Sequence, residues 1–195
     1  MITTRIFWLF CFCMCLSQWL PAQRFQAGAL VGLNLSQIDG DRLLGYNQVG
    51  LNVGGRVNAV LNDRWQLGLE MAYTQQGARR AKNDDPASIY DNIRLNFVET
   101  PVMLHFKEWK FHLSGGVSYA RLINYKVIDV FGVNISDQQT YNPDIFSAVV
   151  GLVYYFQDNM GVEGRWFRSL NNMQGRAGAG QFIGRSISIR YVYLF

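Results

Sequence analysis

The chain has 195 residues and a formal charge of +4; 49% of its residues are hydrophobic, 14% aromatic and only 16% charged. The length fits one domain and the apolar fraction is too high for a disordered chain, while abundant aromatics and 19 glycines argue against a helical bundle or coiled coil. Beyond the first twenty residues no stretch is apolar for the about 18 positions a spanning helix needs, and there is no basic nucleic-acid tail. A membrane protein built from strands stays open.

Residues 1–22 read as a cleaved export signal. Arg5 supplies the positive flank, residues 6–16 form a short apolar core, and Ala22 stands at the expected −1 position. Cys11, Cys13 and Cys15 all fall in this segment, and no small-residue box of a lipoprotein precedes them. The expected mature domain, 23–195, therefore has no disulfide and no thiolate chemistry.

From there the dominant period is two. Phe25, Ala27, Ala29, Val31 and Leu33 share one face of a first strand, with Gln26, Gly28, Gly32 and Asn34 on the other. A second strand sets Val49, Leu51, Val53, Val57 and Ala59 against Asn52, Gly54, Arg56 and Asn58. A third sets Trp65, Leu67, Leu69, Met71 and Tyr73 against Gln66, Gly68, Glu70 and Thr74. Such alternation is the mark of a strand with one apolar and one polar face. Five more strands are predicted, over about 95–106, 111–123, 145–156, 160–170 and 185–195. In the fourth, the parity of apolar residues changes near Val98, which predicts a bulge there.

Connections after strands two, four and six are short (62–64, 107–110, 157–159). Those after strands one, three, five and seven are long (36–48, 77–92, 124–144, 171–184). Tight turns on one rim and long polar loops on the other are the pattern of an outer-membrane barrel with periplasmic turns and extracellular loops. Strands such as Trp65 to Tyr73 would stand roughly 20–25 Å tall at a tilt near 40°. Trp65, Phe106, Trp109, Phe111 and Phe156 would mark one interface, and Tyr73, Tyr119, Phe146 and Trp166 the other. The fold class expected is all-β: an eight-stranded antiparallel up-and-down transmembrane barrel. The competing fold is a soluble periplasmic barrel with the apolar face inward around a small hydrophobic ligand. That barrel would turn Arg56, Glu70 and Glu99 outward.

Counted from the tight-turn rim, Arg56, Glu70, Glu99, Glu163, Arg165 and Arg190 fall in one belt near mid-height on the polar face. A short turn centred on Asp63 sets Arg56 opposite Glu70. Unpaired charges in such a place would each cost several kcal/mol, so the balanced numbers predict mutual pairing. Eight strands leave an interior that side chains fill, so the belt is read as a structural plug, with a gated ion path as the competing reading.

Other constellations are weaker. His112–Leu113–Ser114 resembles the His-x-Ser dyad of lipid A deacylase barrels, but parity and turn place it inside at the periplasmic rim, away from outer-leaflet acyl chains. No catalytic residue is therefore assigned, and a lipid A-modifying enzyme is kept as an alternative. His105 and His112 would face each other across the turn between strands four and five, short of a recognisable third zinc ligand. The run Asp39–Gly40–Asp41 is a turn, not a calcium loop, because Gly50 stands where a Glu is needed. The glycine-rich run 175–180 lacks the Lys-Ser/Thr of a phosphate loop. Neither a cofactor nor a metal site is expected. The mixed charges Arg79, Arg80, Lys82, Asp84, Asp85 and Asp91 form an outer loop, read either as an ordinary solvated loop or as a contact for lipopolysaccharide phosphates.

Tyr191, Tyr193 and the terminal Phe195 repeat an aromatic at every second position, like the C-terminal signal by which outer-membrane barrels engage their assembly machinery. The segments GLNLSQIDGD, GLNVGGRV, WQLGLEMAYTQQGA, VETPVML, VEGRWFRSLNNM and YVYLF together resemble the PorT-like outer-membrane β-barrel domain of Bacteroidetes. That resemblance implies a bacterial outer-membrane location and a structural or accessory role. It also implies secretion-system proteins as partners beside outer-membrane lipid, lipopolysaccharide and the assembly machinery. No nucleic-acid partner is expected.

Overall fold

The computed structural model describes residues 24–82, 84–175 and 181–195. The predicted export segment, and residues 176–180 of the glycine-rich run, lie outside the described residues. Eight antiparallel strands follow one another: β1 Phe25–Asp39, β2 Gln48–Val60, β3 Trp65–Arg79, β4 Tyr90–Glu108, β5 Phe111–Asp129, β6 Asp144–Gln157, β7 Met160–Ser169 and β8 Ile183–Leu194. Each pairs with the next, and β8 closes on β1, so the sheet has no free edge. The short connections are 61–64, 109–110 and 158–159; the long ones are 40–47, 80–89, 130–143 and 170–182.

Local chemistry explains the tight turns. In the first, the Asn62 side-chain oxygen accepts the backbone N–H of Arg64 at 3.0 Å and of Trp65 at 2.9 Å. In the second, Trp109 takes φ 55°, the left-handed conformation that lets a two-residue turn follow the strand twist. At this rim Trp65 packs on Phe106 with ring centroids 4.9 Å apart, and Phe111 on Tyr154 at 5.0 Å. Tyr119 and Phe146, at 5.5 Å, pair near the opposite interface.

Alternation decides what is inside. Val53, Leu69 and Val150 are all exposed on the outer surface, whereas Arg56, Glu70 and Glu163 are buried. A soluble barrel around a hydrophobic ligand would need the reverse.

The expected bulge at Val98 is corrected. Along β4 every odd residue from Ile93 to His105 faces inward without interruption. The register shift lies across the ladder on β5. Asn96 pairs Asn124 while Phe97 pairs Leu122, leaving Ile123 as the extra residue. What changes near Val98 is the chemistry of each face. Below it, Val102 and Leu104 point out and His105 points in. Above it, Arg94 and Asn96 point out and Leu95 and Phe97 point in. The strands also run further at the loop end than alternation suggested, for the same reason: polar outer residues there look like loop.

The interior is therefore tiered. At the loop end Ile38, Ile93, Leu95, Phe97 and Ile145 join Leu43, Met173 and Phe182 from the loops in one apolar cluster. The charged residues occupy the middle. Toward the tight turns lie Gln66, His105, His112 and Ser114, beside a smaller apolar group of Leu30, Val153, Tyr155, Val192 and Leu194.

Candidate functional site: a buried ionic cluster across the lumen

β2 and β3 face β7 and β8 across the lumen, and the register brings their charges to one level. Arg56 lies opposite Glu70 in the β2–β3 ladder, and Glu163 opposite Arg190 in the β7–β8 ladder. Two carboxylates then bridge three guanidinium groups. Arg56 donates to Glu70 Oε1 from Nε at 2.7 Å and to both oxygens of Glu163 at 2.8 and 2.9 Å. Arg165 grips Glu70 with two parallel N–H···O bonds of 3.0 and 2.7 Å, and reaches Glu163 at 3.0 Å. Arg190 donates to Glu70 Oε2 at 3.1 Å, to Glu163 Oε2 from Nε at 3.2 Å, and more closely to the same oxygen from its terminal nitrogen. The forked Arg165–Glu70 contact is the strongest geometry a guanidinium offers a carboxylate.

Small residues make room for these side chains. Gly32 stands opposite Arg190 in the β1–β8 ladder, and a Cβ there would come within 2.6 Å of the Arg190 Cα. On the loop side a ring of neutral polar groups covers the charges. Arg190 reaches Asn52 Oδ1 at 3.4 Å; Asn52 donates to Asn34 Oδ1 at 3.2 Å; and Ser188 donates to the same oxygen at 2.7 Å. Asn34, Asn52 and Thr74 were visible in the sequence as polar-face residues, but their joining into a network was not. Nothing along the chain marks partners 18 to 154 positions apart.

Glu99 does not join the ion pairs. It is buried, and its Oε1 accepts the Ser118 hydroxyl at 2.7 Å. The cluster is thus three arginines on two glutamates, not three on three. Arg165 Nε is buried without a hydrogen-bond partner.

The histidines also depart from expectation. His105 lies opposite Ser114 and Gln66, and His112 opposite Lys107 and Val153, so the two imidazoles are offset along the ladder. The Ser114 hydroxyl donates to the Gly151 carbonyl at 3.2 Å, and the His112 ring packs on Tyr155 with centroids 4.6 Å apart. Among the described residues no group of three or more His, Cys, Asp or Glu is placed to hold a metal. Tyr191 and the terminal Phe195 are exposed on the outer face, and Tyr193 packs against Phe195 at 5.5 Å.

Comparison with known proteins fits this geometry. The model of the outer membrane protein beta-barrel domain matches residues 17–175. The chain belongs to that family. No curated protein matches it. Among solved structures, Neisserial surface protein A is similar with TM-score 0.55 and 13% identity, over 88% of this chain and 97% of that one. Ail, the attachment invasion locus protein of Yersinia pestis, is similar with TM-score 0.52 and 12% identity, over 87% and 98%. The same Yersinia protein in a phospholipid bilayer nanodisc gives 0.50 and 13%, over 88% and 100%. At these identities the likeness is one of fold, a closed eight-stranded barrel; the outer-membrane assignment rests on the family to which the chain belongs.

Proposed function

We propose that this protein is a non-enzymatic outer-membrane barrel with a plugged lumen, serving a structural or accessory role in the envelope. In this reading the tight turns, the start of β1 and the end of β8 face the periplasm, and the long loops, 130–143 above all, are its contact surfaces. The observation that carries it is the filling of the interior. Arg56, Arg165, Arg190, Glu70 and Glu163 bond across the whole lumen, and the apolar tier lies above them. Eight strands leave little space beside such side chains. No catalytic step is assigned, since the Ser114 hydroxyl is engaged by a backbone carbonyl and not by an imidazole.

The finer affiliation with PorT-like barrels of Bacteroidetes, and with protein secretion, rests on the sequence resemblance. Contact with lipopolysaccharide and secretion proteins, and an assembly signal at Tyr191, Tyr193 and Phe195, belong to the same proposal.

Recording in planar lipid bilayers tests the plug. Purified barrel should insert without steady conductance, whereas Glu163→Gln, which leaves arginines uncompensated, should give noisy or intermittent openings. A stable open current from the unmodified protein would sink the reading.

A further inference from the structure

Three loops meet above the apolar tier and line an open pocket of about 300 Å³. Gly40, Asp41 and Arg42 come from the first long loop, Ser88 and Ile89 from the second, and Gln174 and Phe182 from the last, while Tyr90 begins β4. The walls are held in place by bonds between loops. The Ser88 hydroxyl donates to the Asp41 carbonyl at 2.8 Å, and Leu44 N–H donates to Asp84 at 2.9 Å. Tyr90 and Phe182 meet edge to face at 6.2 Å. Arg42 is held at φ 65°, a conformation that costs a non-glycine residue roughly 1 kcal/mol or more.

The pocket wall carries one cation, the exposed Arg42, and the carboxylates around it have partners on their oxygens, with one exception. Asp39 pairs with Arg185 at 2.6 Å. Asp84 accepts backbone N–H groups on both oxygens, from Leu44 at 2.9 Å and Ala81 at 2.6 Å. Arg80 spends its guanidinium on the carbonyls of Tyr90, Asp85 and Ser88. Asp41 is 2% exposed; its Oδ1 accepts Leu43 N–H at 2.8 Å, but its Oδ2 has no partner. Gln174 Oε1, in the same pocket wall, is also buried and unpartnered. A carboxylate oxygen buried without a donor is costly, and a second bare acceptor beside the same pocket makes the need one for donors.

We infer that this pocket binds a small organic molecule through a primary ammonium group, held by Asp41 Oδ2 and Gln174 Oε1. An ammonium brings three N–H donors and the positive charge that the carboxylate lacks. The rings of Tyr90 and Phe182 supply apolar and cation–π surface for the carbon adjacent to it, and the volume suits a molecule of amino-acid size. Burial pushes the Asp41 carboxyl up to about 7, with Asp84 and Asp39 adding to the rise, and a cation bound beside it would bring it down again. The inference stands apart from the plug, since it concerns loops and not the lumen.

The test uses the full barrel refolded in detergent micelles at about pH 8, titrated with butylamine, which is protonated there. Heat of binding and the amide resonances of Ser88 and Phe182 are followed together. Butylamine should saturate at one per barrel. 1-Butanol, which keeps the chain and loses the charge, and tetramethylammonium, which keeps the charge and loses the donors, should each bind at least about tenfold more weakly. Asp41→Asn should weaken butylamine about tenfold or more, and Gln174→Leu several-fold. Equal binding of butylamine by Asp41→Asn and the unmodified barrel overturns the proposal. So does an equal response to tetramethylammonium, or saturation of these resonances by calcium chloride with none by butylamine. If Asp41→Asn fails to reach the folded state, the butylamine-to-butanol ratio of the unmodified barrel decides alone: a ratio near one is a refutation.

Discussion

In the lower part of the barrel the outer surface is apolar and the interior polar. Val102, Leu104 and Val150 point out, and Glu70, His105 and Glu163 point in. In the upper part the arrangement reverses. Arg94 and Asn96 point out, and Ile93, Leu95 and Phe97 fill the inside. One strand, β4, passes through both regions without changing its parity. The reversal tells where the solvent changes. The lower surface meets lipid, so its apolar side chains belong outside and its polar ones must bond to one another within. The upper surface meets water, and there the barrel is built like a soluble protein, with an apolar core under polar walls. Tyr73 and Tyr119 stand near the level of the reversal, where rings with a polar tip are at home, and Phe146 lies opposite Tyr119.

This contrast can be broken at several points. The largest effect is expected in the ionic cluster. Glu163→Ala leaves three arginines on one glutamate in a buried site and should cost about 3–5 kcal/mol, read from urea unfolding by gel mobility in detergent. Next is the lipid-facing surface. Val150→Lys should cost about 2–4 kcal/mol in a bilayer, while Asn96→Lys, on the outward face above the reversal, should change stability by no more than about 0.5 kcal/mol. Similar costs for the two would put the reversal in the wrong place. In the upper core, Leu95→Ala should cost about 2–3 kcal/mol by opening a cavity, and an added small apolar solute should restore part of it.

The smallest effect is local and depends on pH. Asp41 sits near 7 in the folded loops against about 4 in an open chain, chiefly because it is buried. The folded loops therefore hold more protons than the open ones between about pH 4 and 7, and their stability falls as pH rises through that window and levels off above it. Asp39, Asp84, Tyr90 and Tyr141 are the titratable groups around Asp41, with Arg42 beside it. Hydrogen exchange of the Leu43 and Ser88 amides, corrected for intrinsic rate, should accordingly show less protection at about pH 8 than at about pH 5. Asp41→Asn should remove most of the difference.

Much of this was legible in the chain. Eight strands and the sorting of short and long connections follow from alternation and turn residues, because both are local properties of a pleated backbone. The level of the charged belt followed from counting upward from a tight turn, since the rise per residue is fixed. Other features were not legible. The parity change at Val98 looked like a bulge because a reversal of solvent and a reversal of strand leave the same trace in sequence. Glu99 lay on the right face at about the right height, yet Ser118 on the neighbouring strand was the partner within reach.

Sequence by itself determined that this chain forms strands, how many, and which side chains share a face, because the two-residue period and the turns are decided by neighbours along the chain. Only closure of the sheet decided which of those faces meet. Arg56 and Glu163 are 107 positions apart and bond at 2.8 Å because β2 and β7 come to face each other across the lumen. The same closure brought Asp41 and Gln174 to one pocket with bare oxygens. Distances between remote residues are set by the ring of strands as a whole, and no local preference encodes them.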